Sequence, residues 1–258
     1  MLTVVYLGTG AAVPSANREN TSLAIDDGTE ITLIDTSGTP HKRFLEMHVP
    51  HERLARVIIT HEHPDHTFGF PSLLQNLWLT GRRDPLPVYA LDQTWKLLDR
   101  LIAAYWPQGW DHGFPIERHT LLGDGTQFVQ TPQLSLSAAR GDHSVPCIGI
   151  RAEFDGGSVV YSSDTGPSDA IVALSRGCTA LIHESTFVAG QEELAGKLGH
   201  STSRQAAEVA DRAGASRLAL VHFTPSEGAG LDALRAGAAE AFTGIIDVPN
   251  DGDRLTLG

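Results

Sequence analysis

The chain has 258 residues, 41% hydrophobic and 19% charged, which is enough to bury a substantial core in one large α/β domain spanning 1–258. Its 19 Lys and Arg against 31 Asp and Glu give a net charge of −12 with His neutral, and the densest basic spot is only Gly81-Arg82-Arg83, so a long nucleic acid is not an expected partner. Its two cysteines, Cys147 and Cys178, form no CxxC pair and read as small buried hydrophobes in a reducing compartment.

The opening MLTVVYLGTG has no basic leader and no small-residue cleavage site, and its apolar part is too short to span a bilayer. A cytoplasmic protein that enters its first strand at once is expected. Thr3 to Leu7 reads as that strand, ending at Gly8-Thr9-Gly10. Thr21 to Ile25 and Glu30 to Ile34 read as strands around the turn Asp26-Asp27-Gly28. A helix follows over His41 to His48, stopped by Pro50. Arg56 to Ile59 is a strand, and Pro71 to Leu79 and Leu91 to Tyr105 read as helices around a strand at Pro87 to Ala90.

Beyond the loop Trp106 to Arg118, strand-like runs dominate: Gln127 to Val129, Leu134 to Ala139, Ile148 to Phe154 and Ser158 to Ser162. A helix at Ser168 to Leu174 and a strand at Ala180 to Ile182 come next. Ser201-Thr202-Ser203 offers caps for a helix Arg204 to Ala213 that ends at Gly214. Leu218 to Val221 is a strand, Leu231 to Ala241 a helix and Arg254 to Leu257 a closing strand. Two similarly built halves, with no composition break between them, fit sheets in the middle and helices outside.

The chemistry gathers in ITHEHPDHTFG, Ile59 to Gly69, where His61, His63, Asp65 and His66 fall within six residues after a strand. In an extended chain residues i and i+2 point the same way, so His61 and His63 can face one site, and Pro64 is expected to keep the next turn from becoming helix. Zinc favours imidazole and carboxylate, and two ions need more ligands than one loop supplies. Later strands deliver more at their ends: Gly141-Asp142-His143-Ser144, Ser162-Ser163-Asp164-Thr165-Gly166, His183-Glu184 and Val221-His222-Phe223. Taken alone, a His such as His222 or an Asp in Ser-Asp-Thr-Gly is usually a solvated or turn residue. The cluster at 61–66 is what makes the others candidates.

THEHPDH, with GDHSVP, SSDTG and LVHF following in order, resembles the metallo-β-lactamase superfamily, from YLGTGAAVPS near the start to HFTP near the end. The resemblance implies a single-domain α/β fold, a four-layer αββα sandwich with a two-metal site at the top of the sheets. It implies that His61, His63 and His143 hold one zinc and Asp65, His66 and His222 a second, with Asp164 bridging. Such a pair of ions makes hydroxide from a shared water near neutral pH, and Asp65 would orient or deprotonate that water. Manganese or iron also suits this ligand set.

Within the superfamily several features resemble the ribonuclease Z branch. The carriers are the opening LGTGAAVPSANREN, and HESTF at His183 to Phe187 followed by GHSTS at Gly199 to Ser203. By that likeness Glu184 and His200 form a pair near the leaving group, the carboxylate fixing the imidazole's tautomer and raising its pKa. Three features depart from the branch. Thr36-Ser37 stands where a DCGE-type segment has Cys-Gly. HFTP replaces an ending with Arg and Tyr. His143 and Asp164 are 21 positions apart, which leaves room for a hairpin and none for the arm that grips tRNA.

The expected function is therefore a dinuclear zinc phosphodiesterase of ribonuclease Z-like type, acting through metal-bound hydroxide on small or short phosphodiesters. The resemblance further implies a homodimer. The alternatives are hydrolysis of a lactone, thioester, sulfate ester or β-lactam on the same metals, and tRNA 3′-end processing. A non-catalytic metal-stabilised sensor is a further reading. The aromatic loop with Trp106, Trp110, His112 and Phe114 either lines a pocket or acts as a lid, or buries its rings against the body or a partner.

Overall fold

Apolar residues alternate along most strands, and both phases of the alternation are buried. In β1 (Leu2–Gly8), Val4 and Tyr6 face one cluster while Val5 and Leu7 face another. The strands β2 (Ser22–Asp26), β3 (Ile31–Ile34) and β4 (Leu54–Ile59) behave alike: Ile58 points into the first cluster, Val57 and Ile59 into the second. A strand buried on both faces needs a layer on each side. The computed structural model, which describes residues 1–111, 113–224 and 229–258, supplies those layers.

The first sheet has the order β14-β1-β2-β3-β4-β5-β6, with β5 at Leu86–Leu91, β6 at Ile116–Leu121 and β14 at Arg254–Leu257. The helices α1 (Pro40–Glu46), α3 (Phe70–Leu79) and α4 (Asp92–Tyr105) cover its outer face with Phe44, Leu73, Leu77 and Trp95. A short α2 (Pro64–Thr67) precedes α3.

The second sheet has the order β13-β12-β11-β10-β9-β8-β7. In chain order these are β7 (Asp124–Gln130), β8 (Ser135–Arg140), β9 (Ile148–Phe154), β10 (Gly157–Tyr161), β11 (Ala180–Glu184), β12 (Arg217–Val221) and β13 (Ile245–Asp247). Its outer face is covered by α5 (Asp169–Leu174), α7 (Ser203–Ala213) and α8 (Ala229–Ala239), through residues such as Ile171, Ala206, Ala210 and Leu234. The inner faces meet in one shared core that includes Ile34, Ile58, Ile150, Tyr161 and Val221. This is the αββα sandwich, with α6 (Glu192–Leu198) between β11 and α7.

Pairing within each sheet sets the edge where side chains converge. β3, β4 and β5 are parallel, as are β10, β11 and β12, and β8 runs with β10 because both are antiparallel to β9. Ile148 N donates to Thr60 O at 3.2 Å, so the two sheets touch at that edge. Between His143 and Asp164 the chain forms only the β9–β10 hairpin.

Three readings of the sequence change. Pro64 starts α2 instead of preventing it: at the first helical position its missing N–H is needed by nothing and its fixed φ suits the helix. Strand β6 begins inside the segment read as loop; five of its six residues are partly or fully exposed, so no apolar alternation marks it. The remaining loop, ending at Pro115, lies at the end of the sheet away from the His cluster, because Leu86 N donates to Pro115 O where β5 begins. Its rings pack on the body, with Trp110 against Trp106 at 4.4 Å, Phe114 at 5.7 Å and Trp78 of α3 at 6.3 Å. It is neither wall nor lid of the site. His112 of that loop and Pro225 of HFTP lie outside the described residues. No helix among the described residues is long and apolar enough to cross a membrane.

Candidate metal centre

Strand ends place the polar groups. After β3 comes Asp35, after β10 Ser163 and Asp164, and after β12 His222. Asp35, Ser163 and His222 have positive φ values of 63°, 57° and 53°, a left-handed backbone that costs a non-glycine residue about 1–2 kcal/mol. Three such residues, after one strand of the first sheet and two of the second, are a cost that packing elsewhere must offset. Backbone bonds hold them: His222 N donates to Thr9 O at 2.9 Å, and Asp35 N donates to Ile58 O at 2.8 Å.

Two groups of ligand atoms form there. His61, His63, His143 and Asp164 make one; Asp65, His66, Asp164 and His222 make the other, and in each the atoms lie within 4.8 Å of one another. His63 Nδ1 is 3.2 Å from His61 Nε2 and 3.1 Å from His143 Nε2. Asp164 Oδ2 lies 3.8 Å from His61 Nε2, 3.5 Å from His66 Nε2 and 3.2 Å from His222 Nε2. Asp65 Oδ2 is 3.4 Å from both His66 Nε2 and His222 Nε2. Ligands about 2.0–2.1 Å from a tetrahedral ion stand about 3.3 Å apart, and most of these spacings match.

The tautomers leave lone pairs facing each other. Thr60 Oγ1 donates to Asp35 Oδ2 at 2.9 Å, so it accepts from His61 Nδ1 at 3.0 Å. His143 Nδ1 donates to Gly199 O at 2.7 Å. Both rings therefore turn an unprotonated Nε2 toward His63 Nδ1, which can donate to only one of them. Burial, reinforced by neighbouring imidazoles, holds His61 well below the ordinary His pKa, and burial lowers His63 and His143 too. One lone pair is thus left unmet among three neutral rings, and a cation between them would satisfy all three.

The second group differs in charge. His66 Nδ1 donates to Asp35 Oδ2 at 2.8 Å, while His66 Nε2 and Asp164 Oδ1 are buried without a hydrogen-bond partner. Burial opposes charge on His66, but Asp164 and Asp35 outweigh it and raise its pKa well above the ordinary value. Burial likewise raises Asp65, yet the His222 and His66 nitrogens, each 3.4 Å from its Oδ2, carry it far below the carboxylate range. This pocket is anionic and attracts positive charge, whether a proton or a metal ion.

Beside it, Glu184, His200 and His222 form a third close set. Glu184 is fully buried, and four donors hold its carboxylate: Thr165 N at 3.1 Å and His200 Nδ1 at 2.7 Å on Oε1, Thr186 N and Oγ1 at 3.0 Å on Oε2. Burial disfavours charge on His200, but the Glu184 bond and charge overcome it and raise its pKa. His200 is 16% exposed at the side chain, open to a substrate's leaving group.

The structure thus brings His61, His63, Asp65, His66, His143, Asp164 and His222 to one place, with Glu184 and His200 beside them. His183 stays apart: it is buried, and its Nδ1 donates to Glu184 O at 2.8 Å. Two further residues belong to the site without standing out in the sequence. Asp35 orients His66 and Thr60; in the sequence it follows an apolar strand and stands at the Asp of the DCGE-type segment, but nothing there assigns it a role. Thr186, whose Oγ1 is 2.9 Å from His222 Nδ1, lies within HESTF, where the resemblance assigns a role only to Glu184.

Residues 31–223 match the family described as β-lactamase superfamily domain. A ribonuclease Z of Mycobacterium bovis is 31% identical over 279 aligned residues, covering 100% of this chain and 99% of that protein. A ribonuclease Z of Methanothermobacter thermautotrophicus is 30% identical over 272, covering 87% of each. Among solved structures, the metallo-β-lactamase fold protein YhfI of Bacillus subtilis superposes with a TM-score of 0.85 at 24% identity over 98% of each chain, a likeness of fold.

Proposed function

Since this chain belongs to the β-lactamase superfamily, among ribonuclease Z relatives, and is a metal-dependent hydrolase of phosphodiesters, we propose that it is a dinuclear zinc enzyme acting on small or short diesters. The observation that carries the two-ion reading is Asp164 Oδ2, within 3.8 Å of His61 Nε2 and within 3.5 Å of His66 and His222 Nε2. In this reading His61, His63 and His143 would hold one ion and Asp65, His66 and His222 the other, with Asp164 available to both. Two such ions would supply Lewis acidity and an ionisable water.

The chain's own groups do the rest. Asp65, kept anionic by His66 and His222, orients the attacking water by accepting a hydrogen bond from it. His200, held by Glu184 through Nδ1, turns Nε2 outward to give a proton to the departing oxygen. A restriction to small substrates is supported by the net charge of −12 and by the bare β9–β10 hairpin between His143 and Asp164. A homodimer completes the reading.

The test uses chelator-stripped protein reloaded with zinc or manganese. Hydrolysis of bis(p-nitrophenyl) phosphate should return with metal and be lost in Asp65→Ala. His200→Ala should cost about 10²–10⁴ on a diester with an alkoxide leaving group, and less on the p-nitrophenyl diester, whose leaving group needs no proton. Full activity of His200→Ala on the alkoxide diester overturns the assignment. The relatives' name, ribonuclease Z, favours an RNA substrate, and tRNA 3′-end processing is the second reading. Specific cleavage of a precursor tRNA, with binding that weakens steeply in salt, would select it. Turnover of lactones or thioesters in preference to every diester would replace both.

A further inference from the structure

Thr186 lies two residues past the end of β11, and its hydroxyl reaches four polar atoms. Oγ1 is 2.9 Å from His222 Nδ1, 3.2 Å from His200 Nδ1, 3.0 Å from Glu184 Oε2 and 3.1 Å from the His222 carbonyl oxygen. A hydroxyl has one proton to give and two lone pairs. The buried carboxylate is the strongest acceptor in reach, so the proton goes to Glu184 Oε2. A lone pair then remains for His222 Nδ1–H. His200 has its own, shorter bond to Glu184 Oε1 at 2.7 Å and does not depend on the hydroxyl.

Glu184 is therefore a branch point. One oxygen holds His200 directly, and the other holds His222 through Thr186. Among the described residues Thr186 Oγ1 is the one partner of His222 Nδ1. We propose that Thr186 is a positioning residue: backed by Glu184, it fixes His222 in the tautomer that turns Nε2 toward Asp65 and Asp164, independently of His200. This rests on the reading of His222 as a metal ligand. Such outer partners are worth about 10–100-fold in metal affinity. The turn itself does not need the hydroxyl, because Thr186 N also donates to Glu184 Oε2 at 3.0 Å.

Thr186→Val keeps the shape and removes the hydroxyl. Chelator-stripped proteins are titrated with zinc chloride against a chromophoric chelator, with a thermal melt of each stripped protein to show that it is folded. The wild type should take up two equivalents. In Thr186→Val one equivalent keeps its affinity, and the other weakens by about 10–100-fold. Thr186→Ser should restore it, and His200→Ala should leave both equivalents as in the wild type. If Val cannot be accommodated, Thr186→Ala gives the same pattern. Wild-type affinity for both equivalents in the hydroxyl-free variants, or an equal loss in His200→Ala, overturns the role of Thr186. A wild type that binds no cation overturns the ligand reading and this inference together.

Discussion

Gly69→Ala tests whether the His66 turn must lie against the Asp35 loop. Gly69 has φ −77°, an ordinary value that alanine adopts freely, so the backbone raises no objection. The objection is steric. A Cβ there would stand 2.2 Å from Thr36 O, 2.7 Å from Gly38 O and 2.9 Å from Pro40 Cδ. Relieving the closest contact requires the two segments to part by about 1 Å, since carbon and oxygen pack at about 3.2 Å or more.

Three short hydrogen bonds cross that seam, Thr36 N to His66 O at 2.9 Å, Gly69 N to Thr36 O at 2.9 Å and His66 Nδ1 to Asp35 Oδ2 at 2.8 Å, beside a longer one from Thr36 Oγ1 to His66 O at 3.2 Å. Opening the seam by about 1 Å puts all three beyond hydrogen-bonding range. At about 1 kcal/mol each the loss is about 3 kcal/mol. For a chain of this size that lowers the melting midpoint by roughly 6–12 °C. His66 moves with the turn, and a misplacement of this order costs about 10² in rate. The assay is a thermal melt of stripped protein together with kcat/KM for bis(p-nitrophenyl) phosphate under saturating metal. A variant that melts and turns over like the wild type would show that the seam positions nothing.

Further outcomes follow from other contacts. Gly196 lies in α6, and a methyl added there would meet nothing within 4 Å, so Gly196→Ala should stabilise by about 0.5–1 kcal/mol, seen as a higher denaturation midpoint at unchanged m-value. Asp251 accepts from Thr9 Oγ1 at 2.8 Å, Glu19 N at 2.7 Å and Arg43 Nη2 at 2.7 Å, so Asp251→Ala should cost about 2–3 kcal/mol in urea unfolding; a cost near zero would mean the loop at 9–20 is held otherwise. Burial and then the His51 ring, 4.6 Å away, lower the His41 pKa against the pull of Glu52. The unfolded chain therefore takes up the proton first, and stability present above the ordinary His pKa is lost as pH falls through that range. Melts between about pH 8 and pH 5 should show a shallower loss for His41→Gln than for wild type, and a steeper one would reverse the assigned sign.

The sequence by itself determined the ligand types and the strand ends that carry them. His61, His63, Asp65 and His66 crowd one loop, and His143, Asp164 and His222 each follow an apolar run. Period-two alternation and strand-end polarity are local properties, legible along the chain alone. Only the tertiary structure decided which nitrogen of each ring faces the cluster, because that depends on what the other nitrogen meets. The partners come from afar: Asp35 for His66, Gly199 for His143 and Thr186 for His222. It also placed the tryptophan loop at the opposite end of the sheet, where the direction of strand β5 and not composition settles the matter. A side chain's identity is written in the chain, but its tautomer and its neighbours are properties of packing between segments that sequence distance does not record.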